Sequence, residues 1–321
     1  MIRQHARTSD SQIHASKPAH QLVNTLELLS VPYRHAQMTV RHLLYLIILV
    51  STLASCTHVA SPVATPSHAP TSTTNKLWWL VGSSTIANLD RIGGASIVNS
   101  FFNPQHTFVV RAKKVPLQLH ALDTASFTNA QQLIAAIGTL PPSTKAVLFD
   151  DEAWPLTPAV EQQSPATYEH LACQAAHAHH LLFIATPAVD LTSVLPHPHG
   201  ETSRQAYLSL GIARDAAQCA DIIDIQAQGL EQNLPAYVSF VRAAAAQARS
   251  VNPTVIVLAG ISTNHSGNRT SASQLVAAVN STKSIVNGYW LNDPAGGPSC
   301  PRCTGPYPQV TLTFLRDLQH S

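Results

Sequence analysis

Three acidic residues stand in a row at Asp150-Asp151-Glu152, in a chain with only 17 Asp and Glu among 321 residues. They follow the apolar run Ala146-Val147-Leu148-Phe149 and precede Ala153-Trp154-Pro155. Side chains along a strand alternate between faces, so Asp150 and Glu152 share one side and Asp151 takes the other. If Val147 and Phe149 meet covering helices, Asp150 and Glu152 face the opposite, open side. Neighbouring carboxyls raise one another's pKa, which separates a protonated acid from an ionised base or nucleophile. Cleavage of a glycosidic bond uses such a pair, one to protonate the leaving oxygen and one to attack or to activate water. Asp150 and Glu152 are therefore the candidate catalytic residues, with Asp151 and Trp154 as candidate substrate contacts. The second carboxylate stays open among Asp190, Asp224 and Asp293. The bland alternative is an acidic run that caps a helix or braces a turn.

Two other segments offer polar side chains at strand ends. Ile222-Ile223-Asp224-Ile225-Gln226-Ala227-Gln228 alternates, so that Asp224, Gln226 and Gln228 form one polar file. Such a file must be hydrogen-bonded, wet or turned toward a ligand, because bare burial is costly. Gln presents both donor and acceptor atoms, which suits sugar hydroxyls. Asn287-Gly288-Tyr289-Trp290-Leu291-Asn292-Asp293 ends another strand. Tyr289, Trp290 and Asn292 are candidate sugar contacts there, with aromatic core packing as the alternative.

The elements that must position these residues alternate. Candidate strands fall at Leu77–Val81, Thr107–Val110, Leu117–Leu122, Ala146–Asp150, Leu181–Ala185, Ile222–Gln226, Thr254–Ala259 and Ile285–Leu291. Helical patterns lie between several of them, at Asn129–Gly138, Pro165–His180, Ser203–Ala220, Leu234–Ser250 and Ser271–Ser281. Strand–helix alternation over residues 76–321 predicts a parallel sheet covered by helices, and the strand number is that of a (β/α)₈ barrel. Residues 82–117 leave little room for two full helices, which keeps an open doubly wound sheet as the alternative.

A strand-end D-D-E with a following Trp, an inward Gln file and a terminal Tyr-Trp resemble the barrel glycoside hydrolases. The resemblance covers the alternating body of the chain and implies an enzyme acting on polysaccharide. The fourth strand carries neither the Asn-Glu pair of one large clan nor the spaced D-x-x-D-x-D-x-E of chitinase-like barrels. A non-catalytic surface protein that binds a glycan or a protein partner is the competing reading.

Composition narrows the rest. A formal charge of +2 gives no basic field for nucleic acid. No P-loop, dinucleotide fingerprint, H-E-x-x-H or G-x-S-x-G is present, so no cofactor is expected. Cys173, Cys219, Cys300 and Cys303 make an even set that fits two disulfides in an exported domain. Helices neighbouring in a barrel would pair Cys173 with Cys219, leaving Cys300 and Cys303 to close a small loop. Zinc would need further ligands at sensible spacing, and no metal is expected.

The amino-terminal third reads as an address. Met38–Cys56 has a basic start, an apolar run from Leu43 to Val50 and small residues before the cysteine, which suits a secretory signal. The run is too short to cross a membrane unaided. Leu53-Ala54-Ser55-Cys56 resembles the lipobox of bacterial lipoproteins, which implies lipidation at Cys56 and a place on the outer face of a bacterial membrane in the cell envelope. Residues 57–75 are rich in Ser, Thr and Pro and read as a flexible linker. Residues 1–37 fit no part of that scheme and are expected to be disordered or to precede the true translation start.

Overall fold

The computed structural model describes residues 76–111, 119–297 and 300–321. The signal-like segment, the lipobox with Cys56 and the linker lie outside these. Among the described residues no helix is long and apolar enough to cross a membrane.

Eight parallel strands close into a barrel. They are β1 (Trp78–Gly82), β2 (Thr107–Val110), β3 (Leu122–Phe127), β4 (Thr144–Phe149), β5 (Leu182–Ala185), β6 (Ile222–Ile225), β7 (Ile256–Ser262) and, after a small antiparallel hairpin of β8 (Asn264–His265) and β9 (Asn268–Arg269), β10 (Gly288–Asn292). The order is β1-β10-β7-β6-β5-β4-β3-β2, with β1 hydrogen-bonded to both β2 and β10. Closure excludes the open doubly wound sheet and confirms the (β/α)₈ expectation.

Alternation sorts every strand into two apolar layers. Leu80, Phe108, Ala146, Leu148, Ile184, Ile222 and Leu258 point inward and fill the barrel. Their neighbours Val81, Val109, Val147, Phe149, Phe183, Ile223, Ile225, Val257 and Leu291 point outward, under the helices. Burying both faces explains why these strands read as nearly continuous apolar runs. It also fixes the face on which residues just past each strand emerge.

The helical layer departs from expectation in places with local causes. Two short helices, α1 (Ser83–Arg91) and α2 (Ala95–Phe102), fit between β1 and β2. No helix is present among the described residues between β2 and β3. The strand expected at Leu117–Leu122 lies instead at Leu122–Phe127. Its Asp123 accepts from Ser143 Oγ at 2.9 Å and pairs with Arg111, so a polar residue opens an outer face otherwise formed by Ala125 and Phe127. Next come α3 (Ala130–Ala136), the short α4 (Ala159–Gln162) and α5 (Pro165–Ala178). The single helix expected over Ser203–Ala220 is two, α6 (Ser203–Leu210) and α7 (Ile212–Ala217). Gly211 divides them at φ +71°, a left-handed conformation natural to glycine. The helices α8 (Leu234–Val251) and α9 (Ala272–Thr282) follow the expected pattern, and α10 (Pro308–Gln319) was not anticipated.

Both disulfides are present, Cys173–Cys219 and Cys300–Cys303. The first ties α5 to the end of α7 across 46 residues. Loop-closure entropy over that length makes it worth roughly 4 kcal/mol. A Cys173→Ser/Cys219→Ser double variant should therefore melt on the order of 10 °C lower by circular dichroism. An unchanged melting temperature would show that the bridge only decorates a surface already fixed by packing.

Candidate active site

The acidic run begins where β4 ends, and the backbone around it is held on three sides. Asp150 N donates to Phe127 O at 2.8 Å, Thr186 N to Phe149 O at 3.1 Å, and Ala188 N to Asp151 O at 2.8 Å. The following turn is fastened by Thr157, whose Oγ1 accepts from Trp154 Nε1 at 2.8 Å and donates to Thr128 O at 2.9 Å. Gln162 Nε2 reaches the carbonyls of Trp154 and Thr157 at 2.8 and 2.6 Å. The three carboxyls therefore leave a rigid platform.

Ala146 and Leu148 face the barrel interior, so Asp150 continues that face at its mouth. Its Oδ1 accepts from Thr186 Oγ1 at 3.0 Å and Gln226 Nε2 at 3.2 Å. The same Gln226 amide also donates to Thr186 O at 2.8 Å, so one side chain bridges the ends of β4, β5 and β6. Asp150 and Glu152 line one cavity of about 470 Å³, together with Trp154, Asp190, Gln226, Gln228, Trp290 and Asn292. Asp190, on the turn after β5, accepts from Ala153 N at 2.9 Å. Gln228 lies flat over Gly260 of β7. A Cβ at that position would stand 2.3 Å from its amide carbon, so the glycine makes the space the glutamine occupies.

Burial and mutual repulsion set the protonation of these acids. Desolvation, opposed by the Thr186 and Gln226 hydrogen bonds and reinforced by Asp190, raises Asp150 to about 6. Glu152 is raised to about 9, first by desolvation and then by the charges of Asp150 and Asp190. Asp190 is raised by desolvation and held back by its bond from Ala153 N. The mouth thus holds Glu152, which stays protonated at neutral pH, beside Asp150, which ionises near pH 6.

Four expected site residues stand elsewhere. Asp151 is fully buried and absent from the cavity, with Glu161 and Asp150 the nearest acids pushing its pKa up after desolvation, to about 8. It is the odd member of an alternating run and faces the helical layer, so it is no substrate contact. Tyr289 also points outward, where its hydroxyl meets Thr282 Oγ1 and donates to Val279 O, each at 2.9 Å. Adjacent strand residues cannot share a face, and of this pair only Trp290 reaches the cavity. Asp224 points into the barrel but is fully buried beneath the cavity, and Asp293 is held by Thr263 Oγ1 and Tyr307 N at 2.6 and 2.7 Å. Of the three candidates for a second carboxylate, only Asp190 reaches the cavity.

These placements give paired expectations. Trp290→Ala should weaken binding of a saccharide ligand by roughly tenfold, since packing a sugar ring's C–H face on the indole is worth on the order of 1 kcal/mol. Tyr289→Phe should leave that binding unchanged while costing roughly 1–2 kcal/mol of stability, because Thr282 loses a buried partner. Isothermal titration and thermal melting of the two variants separate the roles.

The same cavity contains residues that the sequence reading passed over. Arg204 of α6, His265 of the β8–β9 hairpin and Arg302 in the Cys300–Cys303 loop line its other walls. Behind the platform, Glu161 caps α3 by accepting from Ala130 N at 2.7 Å and Gln131 N at 3.4 Å. Glu169 of α5 is buried with neither carboxyl oxygen meeting a protein donor, as are Asp151 and Asp224.

Comparison with known proteins adds little to this geometry. No family model and no curated protein matches the chain. Among solved structures, an enolase from Agrobacterium radiobacter with sodium and L-malate bound aligns at 12% identity and TM-score 0.29 over 68% of this chain. The chain spans about half, 51%, of that structure's length. A thiamine phosphate pyrophosphorylase from Pyrococcus furiosus aligns at 8% identity and TM-score 0.20, covering 77% of this chain and 97% of the other. Likenesses this distant carry no functional argument, and the barrel assignment rests on the strand order itself.

Proposed function

We propose that this chain is a hydrolase of glycosidic bonds working at the barrel mouth, with Glu152 as the acid and Asp190 as the carboxyl that takes a proton from water. The observation that supports it is one open cavity holding Asp150, Glu152 and Asp190 beside Trp154, Trp290 and three side-chain amides. In that scheme the Glu152 proton passes to the leaving oxygen as the bond to the anomeric carbon breaks. Water adds its hydroxyl to that carbon, and its remaining proton goes to Asp190. Asp150, deeper and gripped by Thr186 and Gln226, keeps Glu152 protonated through its charge and stabilises the positive charge that develops on the sugar. Gln226, Gln228 and Asn292 supply donors and acceptors for hydroxyls, and Trp290 a face for the ring. Activity is expected to rise as Asp150 ionises near pH 6 and to fall as Glu152 loses its proton near pH 9. A rate profile without that plateau would count against these roles.

The same proposal places the enzyme outside the cytoplasm, tethered to a bacterial membrane through Cys56 by the linker at 57–75. Two disulfides in the barrel support an oxidising compartment. Radiolabelled fatty acid fed to expressing bacteria should enter the wild-type protein and not a Cys56→Ala variant. Equal labelling of both, or of neither, would remove the anchor from the account.

A further inference from the structure

The cavity is bipolar. Its acidic wall comes from the ends of β4 and β5, and the remaining wall carries the cations Arg204 and Arg302 beside His265. Among the described residues Arg111 pairs with Asp123 and Arg214 with Asp215. Arg204 and Arg302 are different: among the described residues neither forms an ion pair or a side-chain hydrogen bond. Arg204 Nε is buried and meets no acceptor. The nearest acid to influence Arg204 is Glu231, whose two oxygens are already engaged by Gly229 N at 2.7 Å and Ser262 N at 2.8 Å. A guanidinium left half-buried without an acceptor is costly unless something anionic completes it.

The loops that carry His265 and Arg302 are packed tightly on their neighbours. Gly229, at φ +87°, passes so close to the His265 ring that a Cβ would meet it at 2.5 Å, and Gly267, at φ +92°, would meet the Arg302 carbonyl at 2.8 Å. The hairpin and the disulfide-closed Cys300–Cys303 loop therefore pack directly on one another at the rim. Arg302 projects from a braced turn.

We infer that Arg204 and Arg302 form an anion subsite, and that the substrate is an acidic glycan whose carboxylate or sulfate docks there while the acidic wall acts on the adjoining bond. This rests on the glycosidase reading and names the substrate class for the same cavity. A guanidinium fork matches both anions in geometry, and charge-assisted bonds of this kind are about twice as strong as neutral ones. Arg302 is exposed and solvated, so a neutral glycan would leave the half-buried Arg204 without an acceptor and place its hydroxyls against the same acids. Discrimination against it is thus built into the site.

The test uses matched pairs of oligosaccharides that differ only in charge: oligogalacturonate and its methyl ester, a glucuronate-containing oligomer and its methyl ester, and a sulfated oligomer with its desulfated form. Binding to the full chain is measured by isothermal titration calorimetry for wild type, Arg204→Gln, Arg302→Gln, Arg204→Lys and Glu152→Gln. The inference expects at least one acidic member to bind roughly tenfold or more tighter than its neutral twin. That preference should disappear in the two arginine variants, persist in Glu152→Gln, and return in part in Arg204→Lys. Equal or stronger binding of the neutral members overturns the anion subsite alone. Failure of every pair to bind overturns the glycosidase reading and the subsite with it.

Discussion

The Glu152→Gln variant should lose turnover by roughly 10³-fold while keeping its fold and its affinity for a saccharide ligand. Gln occupies the same volume and can still donate a hydrogen bond, but it cannot transfer a proton to a leaving oxygen. Removing a buried, protonated carboxyl also removes no ion pair, so stability should change little. Asp150→Asn should act differently. Asp150 is the largest electrostatic cause that lifts Glu152 toward 9, after desolvation. Losing that charge lets Glu152 ionise at lower pH, so the alkaline limb of the rate profile moves toward neutrality. Rate profiles of the two variants between pH 5 and pH 10 check both points. A Glu152→Gln enzyme of near-normal rate removes Glu152 from the acid role. An unmoved alkaline limb in Asp150→Asn breaks the coupling between the two residues.

The second large effect is on stability, and it runs opposite to ordinary acid denaturation. Asp151, Glu169 and Asp224 are buried with no protein donor to their oxygens. Desolvation raises Asp151 from 3.8 to about 8, with help from Glu161 and Asp150, and raises Glu169 and Asp224 well above their ordinary values. Each group thus binds its proton more tightly in the folded chain than in the unfolded one. Their contribution to stability is fully present below pH 4 and is lost as the pH climbs through the folded values. Between its ordinary and its folded value Asp151 lowers stability by about 1.4 kcal/mol per pH unit, and Glu169 and Asp224 act in the same direction. Melting temperatures should therefore fall between pH 5 and pH 9, by on the order of 10 °C. Asp151→Asn should flatten part of that slope, with its largest gain over wild type at the alkaline end. A wild-type melting temperature that rises across this range would show that these carboxyls are ionised and paired in the folded protein.

How far the sequence foretold this arrangement depends on how far local pattern fixes each feature. The β4 segment is legible as an apolar run and β6 as an alternating one, and the two-residue strand period places Asp150, Gln226 and Gln228 on the inner face. It equally demanded that Tyr289 and Trp290 part company and that Asp151 turn outward. The same period turns Asp151 and Tyr289 to the helical layer, where chemistry alone would group them with their neighbours. The displaced β3 had a different cause. With no covering helix among the described residues after β2, Leu122–Phe127 could carry Asp, Thr and Ser, and its apolar signal is thin. The break at Gly211 needed a left-handed residue to be noticed inside a helical run.

The acidic wall was readable because its members are contiguous. The cationic wall was not, since Arg204 and Arg302 are separated by most of three strand–helix units and only closure brings them to one rim. Which of Asp190, Asp224 and Asp293 meets Glu152 was likewise a question of depth. Asp224 lies within the strand and below the mouth, whereas Asp190 follows β5 by a turn and so reaches the opening.

The most direct trial of the account is a count of new reducing ends. The full chain and its Glu152→Gln variant are incubated with acidic polysaccharides at pH 7, in the expected plateau, and the products are quantified over time. Reducing ends should accumulate on at least one substrate with the wild-type chain and stay at background with the variant. Saturable binding of a glycan by both proteins with no new reducing ends from either would contradict it, and would make the barrel mouth a binding site in place of a catalytic one.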